Sequence, residues 1–106
     1  MRRKKIMLTV SADCKLKELG ARIKSARLRR NISIERLSEK AGIGESTFYA
    51  IERGEHTVSI GAYVAVLIVL GIDSDIDMIA IDEDAKKQLF EKNLVRRKRA
   101  SRLRKE

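Results

Sequence analysis

The chain of 106 residues contains no proline, one cysteine and four aromatic residues. A single cysteine, Cys14, excludes an intrachain disulfide and a thiolate metal site. The longest apolar run, residues 60–72, is shorter than the roughly 20 residues that a transmembrane helix needs. The apolar stretch at residues 6–10 is also too short to be the core of a signal peptide. We therefore expect a soluble cytoplasmic protein with no membrane partner.

The length allows one small domain with extensions and no second independent core. Hydrophobic residues make up 43% of the chain and are mostly aliphatic, and the six glycines lie at apparent helix ends and turns. These features predict an all-α fold. We divide it into a basic arm at residues 1–11, a domain at residues 12–81 and a C-terminal extension with a basic tail at residues 82–106.

The formal net charge is +9 and the pI is about 10.1, which favours a polyanionic partner, either nucleic acid or an anionic membrane surface. Lys and Arg cluster at residues 2–5 and again at residues 96–105. An acidic block, residues 73–84, lies between them and contains no Lys or Arg. Because this block would be repelled by phosphates, we expect it to face away from DNA or toward another protein.

Two short helical patterns joined by a glycine turn occupy residues 32–54. Ser33 is a favourable N-cap for the first pattern, and Gly42 ends that pattern. In the turn that follows, Gly42 and Gly44 can each adopt a positive φ, and Ile43 is left to reach the core. This spacing is typical of a motif that presents its second helix to the major groove of DNA.

The second pattern runs from about residue 45 to residue 53. Helical periodicity places Phe48 and Ile51 on its buried side. The side predicted to face solvent carries Glu45, Ser46, Tyr49, Ala50 and Arg53. We expect any base contacts to come from this side.

A longer helix is predicted before the motif, over residues 13–30. Gly20 lies on or near its apolar stripe and indicates close approach of another backbone. Arg27 lies beside the same stripe, where a buried guanidinium needs a carboxylate partner. We predict that this partner is Glu52, on the inner edge of the second helical pattern of the motif.

A further helix, residues 60–70 with Ser59 as its N-cap, is apolar nearly all round. A helix without a polar face must bury more than one side, so we predict a dimer interface here. Its predicted members are Tyr63, Val66, Leu67 and Leu70. The β-branched residues leave a buried strand open as an alternative, but the serine cap favours a helix.

The two ends of the chain leave alternatives open. Residues 6–10 are β-prone and form either a strand paired with a second copy or with the tail, or a flexible arm. After a short helical pattern over residues 72–80, the last segment is acidic at its start and basic at its end, which complements a helix dipole. We expect disorder beyond Arg96. The basic run contacts DNA or phosphate nonspecifically, or is solvated, or binds a partner.

No group of residues in the chain has the spacing of a catalytic or metal site. The aspartates at positions 73, 75 and 77 lack the glycine and the closing glutamate of a calcium loop. His56 is the only histidine. The chain also has no nucleophile elbow. We therefore expect no enzyme activity, no metal and no cofactor.

Residues 23–33, I-K-S-A-R-L-R-R-N-I-S, and 35–54, E-R-L-S-E-K-A-G-I-G-E-S-T-F-Y-A-I-E-R-G, resemble the helix-turn-helix of the Cro and phage-repressor type, the XRE family. The resemblance covers about 60 residues, 16–72, and implies a five-helix, lambda-repressor-like domain. The following segment I-G-A-Y-V-A-V-L-I-V-L-G-I-D-S-D-I-D-M-I-A and the basic tail more narrowly resemble the HipB-like antitoxin regulators that accompany HipA-type kinase toxins.

By position, the XRE resemblance implies that bases are read by Glu45, Ser46, Tyr49, Ala50 and Arg53. It implies phosphate contacts at Ser33, Lys40, Thr47 and Thr57, and an internal ion pair between Arg27 and Glu52. Ile34 departs from the family, which commonly has glutamine there, and an isoleucine cannot donate to a phosphate.

The sequence therefore predicts a dimeric DNA-binding repressor, without a cofactor, that reads a double-stranded operator. It is either the antitoxin of a HipA-like kinase toxin or a phage-type repressor without a toxin. A protein-interaction module that does not bind DNA is the alternative from a different class.

Overall fold

The computed structural model describes residues 7–104 and is helical through most of that range. Its elements are α1 (Val10–Arg29), α2 (Ile34–Ala41), α3 (Glu45–Glu52), α4 (Ile60–Leu70), a 3-10 helix (Asp73–Met78) and α5 (Glu83–Arg104). No residue from 7 to 104 lies in a β-strand. The all-α prediction is confirmed for this part of the chain. The structure has one helix more than the five predicted, because α5 follows the 3-10 helix.

Local sequence signals account for the helix boundaries. The hydroxyls of Thr9, Ser33 and Ser59 each accept a hydrogen bond from the backbone N–H three residues later, at 3.1–3.2 Å. These bonds satisfy N–H groups that the first helical turn leaves without partners. At the other end, Gly42 and Gly71 adopt the left-handed conformation, with φ of 70° and 76°. Glycine is favoured there because it has no Cβ to clash.

The arm differs from its prediction. The first helix begins at Val10 rather than near Asp13, because Thr9 caps it. Met7, Leu8 and Thr9 are in neither helix nor strand. The basic cluster at residues 2–5 and Ile6 lie outside the described residues, so pairing of the arm with a second copy stays a prediction.

The chain divides into two compact units, the first ending at Asp73 and the second beginning at Ser74. The first unit contains the core, where α2 packs on α4 and α3 packs on both α1 and α2. Ile23, Leu37, Phe48, Ile51 and Val66 are its fully buried apolar side chains. The core holds the two helices of the motif at a defined angle on the long first helix.

The four residues predicted to form a dimer interface lie in this core instead. Tyr63, Val66, Leu67 and Leu70 are each less than 8% exposed. They occupy the side of α4 that packs within the first unit, so the prediction that they meet a second copy is wrong. The other side of the helix is open, and Ile60 and Ile68 are 71% and 57% exposed.

In the second unit, α5 continues to Arg104, so the expectation of disorder is wrong for residues 97–104. Leu, Lys, Arg and Ala are strong helix formers, and acidic residues at the start with basic residues at the end favour a helix dipole. The segment predicted as a short fifth helix is the 3-10 helix, whose aspartates at 73, 75 and 77 are all exposed.

Candidate nucleic-acid interface

The turn between α2 and α3 consists of three residues. The N–H of Ile43 donates to the Ser38 carbonyl at 3.0 Å, and the N–H of Gly42 donates to the Glu39 carbonyl at 3.2 Å. Gly42 has the positive φ, whereas Gly44 is extended and caps α3 through its backbone alone. These hydrogen bonds satisfy backbone carbonyls at the end of α2. Because α3 begins directly after Gly44, the short turn sets the angle between the two helices.

Two glycines let α3 lie directly against α1. A Cβ built on Gly20 would come within 2.6 Å of the Glu52 carbonyl oxygen, as the prediction of a close backbone approach requires. A Cβ on Gly54, whose φ is 73°, would come within 2.4 Å of the Leu16 carbonyl oxygen. Because the obstructing atoms belong to the backbone, the end of the recognition helix has little freedom to shift.

An ion pair ties the same two helices together. Arg27 Nε donates to Glu52 Oε2 at 2.7 Å, and its Nη2 donates to Oε1 at 3.2 Å. Arg27 Nη1 also donates to the Ile32 carbonyl at 3.1 Å. Both side chains are only about a tenth exposed. A bidentate pair with this geometry fixes direction as well as distance, so it orients α3 on α1.

The exposed side of α3 carries four of the five predicted base readers. Glu45, Ser46 and Arg53 are exposed, and Tyr49 is 48% exposed. They lie on one arc of the helix, since successive residues advance by about 100°. The arc offers one carboxylate, two hydroxyls and one guanidinium, a set that can donate and accept hydrogen bonds at base edges.

Ala50 is the exception, because it is 8% exposed and belongs to the core. Position 50 lies about 100° beyond Tyr49 and turns back toward the protein. The prediction that its methyl group faces solvent is therefore wrong. A buried alanine lets α3 pack closely without offering a contact to a base.

Arg53 is held by a neighbour that the sequence argument did not single out. Its Nε and Nη2 both lie 3.0 Å from Glu55 Oε1, and both side chains are partly exposed. The Tyr63 hydroxyl donates to the Glu55 backbone carbonyl at 2.9 Å. The signal in the sequence that could have predicted this pair was the position of Glu55, two residues after Arg53. The guanidinium must leave this carboxylate, or share it, before it can bind a phosphate or a base.

Burial is the main cause that raises the pKa of Tyr63 above its ordinary value of 10.0, and the nearby Glu55 carboxylate raises it further. The phenol is therefore neutral at physiological pH and remains a donor to the Glu55 carbonyl. Through this bond, the core of the first unit supports the loop that follows the recognition helix.

The predicted phosphate contacts lie around the motif rather than in one cluster. Ser33 caps α2, and its hydroxyl can donate while it accepts from the Arg36 N–H. Lys40 is exposed at the end of α2, Thr47 is partly exposed in α3, and Thr57 is exposed in the loop after α3. Ile34, the departure from the family, is partly exposed beside the Ser33 cap.

A metal centre and a membrane-spanning helix are both absent from residues 7–104. No group of three or more His, Cys, Asp or Glu residues within that range is placed to hold a metal ion. Within the same part of the chain, no helix has the length and apolar character needed to cross a membrane.

One of two comparisons with known proteins found a match, and it agrees with this geometry. A search of the curated proteins found no match to the chain. The model of one family, described as a helix-turn-helix domain, matches residues 18–77 and therefore more than half of the chain. The matched span contains α2, α3 and the glycine turn, together with the Arg27–Glu52 pair. The chain belongs to this family of helix-turn-helix domains.

Proposed function

We propose that this protein is a transcriptional regulator that binds double-stranded DNA as a homodimer and represses transcription. The observation that carries the proposal is the open face of α3, with Glu45, Ser46, Tyr49 and Arg53 exposed on a helix that α1 holds rigidly. In proteins with this motif, such a helix enters the major groove. Base readout requires side chains that are both exposed and held in place, and this arc combines the two properties.

The chemistry of the arc limits the bases that it reads. Glu45 can only accept hydrogen bonds, so it pairs best with the amino group of cytosine. Ser46 discriminates weakly because it both donates and accepts. The ring of Tyr49 packs against a thymine methyl. Since Arg53 is the only guanidinium here and is partly neutralised by Glu55, contacts to the DNA backbone supply much of the affinity.

We assign phosphate contacts to the hydroxyls of Ser33, Thr47 and Thr57 and to the ammonium group of Lys40. All four are at least partly exposed around the recognition helix. Contacts of this kind set the register of the protein on the duplex and carry no sequence information.

We assign the dimer contact to the open side of α4. Ile60, Val64 and Ile68 recur every four residues and form an apolar stripe beside the packed side, where Ile60 and Ile68 are exposed and Val64 is partly exposed. In a twofold dimer the same stripe is used by both copies, and burial of these side chains stabilises the contact. Two recognition helices would then meet major grooves about 34 Å apart on a palindromic operator.

Within this proposal, the protein acts as an antitoxin that represses its own operon and binds a HipA-like kinase toxin. The support for this step is the resemblance of residues 60–80 and the basic tail to HipB-like regulators. The exposed aspartates of the 3-10 helix are available for a protein partner, because a DNA phosphate would repel them. A kinase-like gene beside this one would support the assignment, whereas its absence would favour a phage-type repressor.

Fluorescence anisotropy with DNA from upstream of its own gene tests the proposal. If six to ten phosphates are contacted, affinity falls by roughly a thousandfold or more between 50 and 200 mM salt. Tyr49→Ala should lower the preference for this DNA over a shuffled duplex by roughly tenfold, the cost of about one mismatched base pair. Binding to the shuffled duplex should change little.

Phe90→Ala is the matched control, since it removes an aromatic ring that is 69% exposed in the second unit. It should leave the preference unchanged. If the full-length protein shows no salt-sensitive binding even at low salt, the motif is a protein-interaction module and the regulator proposal fails.

A further inference from the structure

The helix-turn-helix motif does not carry the positive charge that makes this chain basic. Between Ser33 and Gly54 the sequence has three basic and four acidic residues. One of the three cations, Arg53, is already paired with Glu55. The motif therefore offers few charges to neutralise phosphates, although backbone affinity depends on such neutralisation.

The charge is concentrated in the second half of α5 and the residues that end the chain. Residues 92–106 contain eight Lys or Arg residues and one acidic residue, a net charge of +7 in a chain of net charge +9. The backbone is helical through Arg104, so this segment is a basic helix for 13 residues from Lys92. Lys92 and Arg96 are exposed.

We infer that the basic half of α5 is a second DNA-binding element, which lies along the phosphate backbone and supplies the nonspecific part of the affinity. The inference rests on the proposed function, because it assigns the phosphate contacts of the same DNA complex. Residues 92–104 span about 20 Å of helix. Seven cations along that length give about one positive charge per 3 Å, against one negative charge per about 1.7 Å of DNA axis.

The distribution of charge favours DNA over a membrane as the partner. In the sequence of this segment, Lys and Arg occupy four consecutive positions, 96–99, so the charges follow no helical period. A helix that binds at a membrane surface needs an apolar face to insert among the lipids, and this segment has none of sufficient width. Phosphates along a groove, in contrast, can approach a helix from two sides.

Binding would also relieve a repulsion within the helix. Residues 92 and 96, and likewise 98 and 102, are four positions apart and carry like charges. Such pairs destabilise a helix in water. Phosphates that neutralise these charges should stabilise the helix, and connection to the first unit raises the local concentration of the tail at the same DNA.

The test compares the salt dependence of two variants of the full chain. In the tail variant, Arg96→Gln, Arg97→Gln, Lys98→Gln and Arg99→Gln remove four charges and retain a good helix former. In the control variant, Lys15→Gln, Arg22→Gln, Lys24→Gln and Arg29→Gln remove four exposed charges from α1. Both variants have the same net charge, and thermal unfolding shows whether each retains the fold.

We expect the slope of log K against log salt to be less steep by about 3 to 4 in the tail variant, since each lost phosphate contact lowers the magnitude of this negative slope by about 0.9. The preference for upstream DNA over a shuffled duplex should not change. In the control variant, the magnitude of the slope should decrease clearly less.

An unchanged slope in the tail variant would overturn the inference and leave the regulator proposal intact, because the original protein would still bind its DNA. An equal loss in both variants would also overturn it, since only the total charge would then matter. An unchanged slope together with tail-dependent binding to vesicles of phosphatidylglycerol and phosphatidylcholine would assign the tail to a membrane instead. If the original protein shows no salt-sensitive binding to DNA, the regulator proposal itself fails, and the inference fails with it.

Discussion

At the scale of single residues, the Arg27–Glu52 pair is the best-defined polar contact of the first unit. Taking both charges out of water is costly, and the bidentate geometry with the added bond to Ile32 offsets that cost. Arg27 also lies over the Phe48 ring, with its guanidinium carbon 6.0 Å from the ring centre. Removal of either partner therefore leaves the other charge buried and unpaired, which destabilises the fold.

We predict that Glu52→Leu lowers the free energy of unfolding by about 3 to 5 kcal/mol, because it leaves a buried guanidinium without its carboxylate. The double variant Arg27→Met with Glu52→Leu should recover most of that loss, since no buried charge remains. Urea denaturation measures both. Lys17→Gln, which breaks the exposed pair with Asp13, is the control and should change the free energy far less. A double variant no more stable than the single one would show that the pair is required for the fold.

At the scale of secondary-structure elements, the contact between α1 and α3 determines where the recognition helix lies. Two backbones meet at Gly20 without a side chain between them, and the Glu52 carbonyl oxygen would lie only 2.6 Å from an added Cβ. Even the smallest side chain there would force the helices apart. The position of the reading face therefore depends on a residue that makes no contact with DNA in our proposal.

Gly20→Ala should destabilise the protein by about 1 to 3 kcal/mol, the usual cost of overpacking, which exceeds the roughly 1 kcal/mol that alanine gains in a helix. Thermal unfolding measures this change. Gly61→Ala in α4 is the matched control, because its Cβ would meet only the Ser59 hydroxyl oxygen at 3.9 Å. We expect that variant to be more stable by about 0.5 to 1 kcal/mol. Equal effects at the two positions would argue against a rigid contact between α1 and α3.

At the scale of the whole molecule, the open stripe of α4 is the surface that we propose to join two copies. An exposed glutamate in the stripe would have to lose its hydration when the interface forms, which is unfavourable without a partner. Ile68→Glu should therefore convert the dimer to a monomer in analytical ultracentrifugation. The fold should persist, since Ile68 is 57% exposed.

Ile79→Glu is the control for this experiment, because Ile79 is 59% exposed in the second unit. It should leave the dimer unchanged. A dimer that resists Ile68→Glu would assign the contact between copies to another surface.

Local signals in the sequence predicted much of the motif. Ser33, Gly42 and Ser59 act through hydrogen bonds and backbone angles within a few residues, so their roles follow from the neighbouring sequence. The partner of Arg27 was also predictable, because few carboxylates lie on a buried helix face. Thr9 was missed as a cap, since a β-prone stretch beside it indicated a strand.

The remainder depended on contacts between elements. An apolar helix such as α4 shows no difference between its sides, so its periodicity cannot tell whether Leu67 or Ile68 is buried. Ala50 is small and apolar, and it suits either a core edge or a reading face. Only the packing of α3 and α4 within the first unit distinguishes these alternatives.

The sequence by itself determined the helices of the motif, the Ser33 and Ser59 caps, the glycine turn and the family, because these follow from local propensities and spacing. Only the tertiary structure decided which side of each helix is open, since burial depends on neighbours that are distant in the chain. That difference moved the proposed dimer contact from Leu67 to Ile68 and removed Ala50 from the exposed face of α3. It also showed that the Glu55 carboxylate lies 3.0 Å from the Arg53 guanidinium, a distance that the sequence spacing of the two residues does not set by itself.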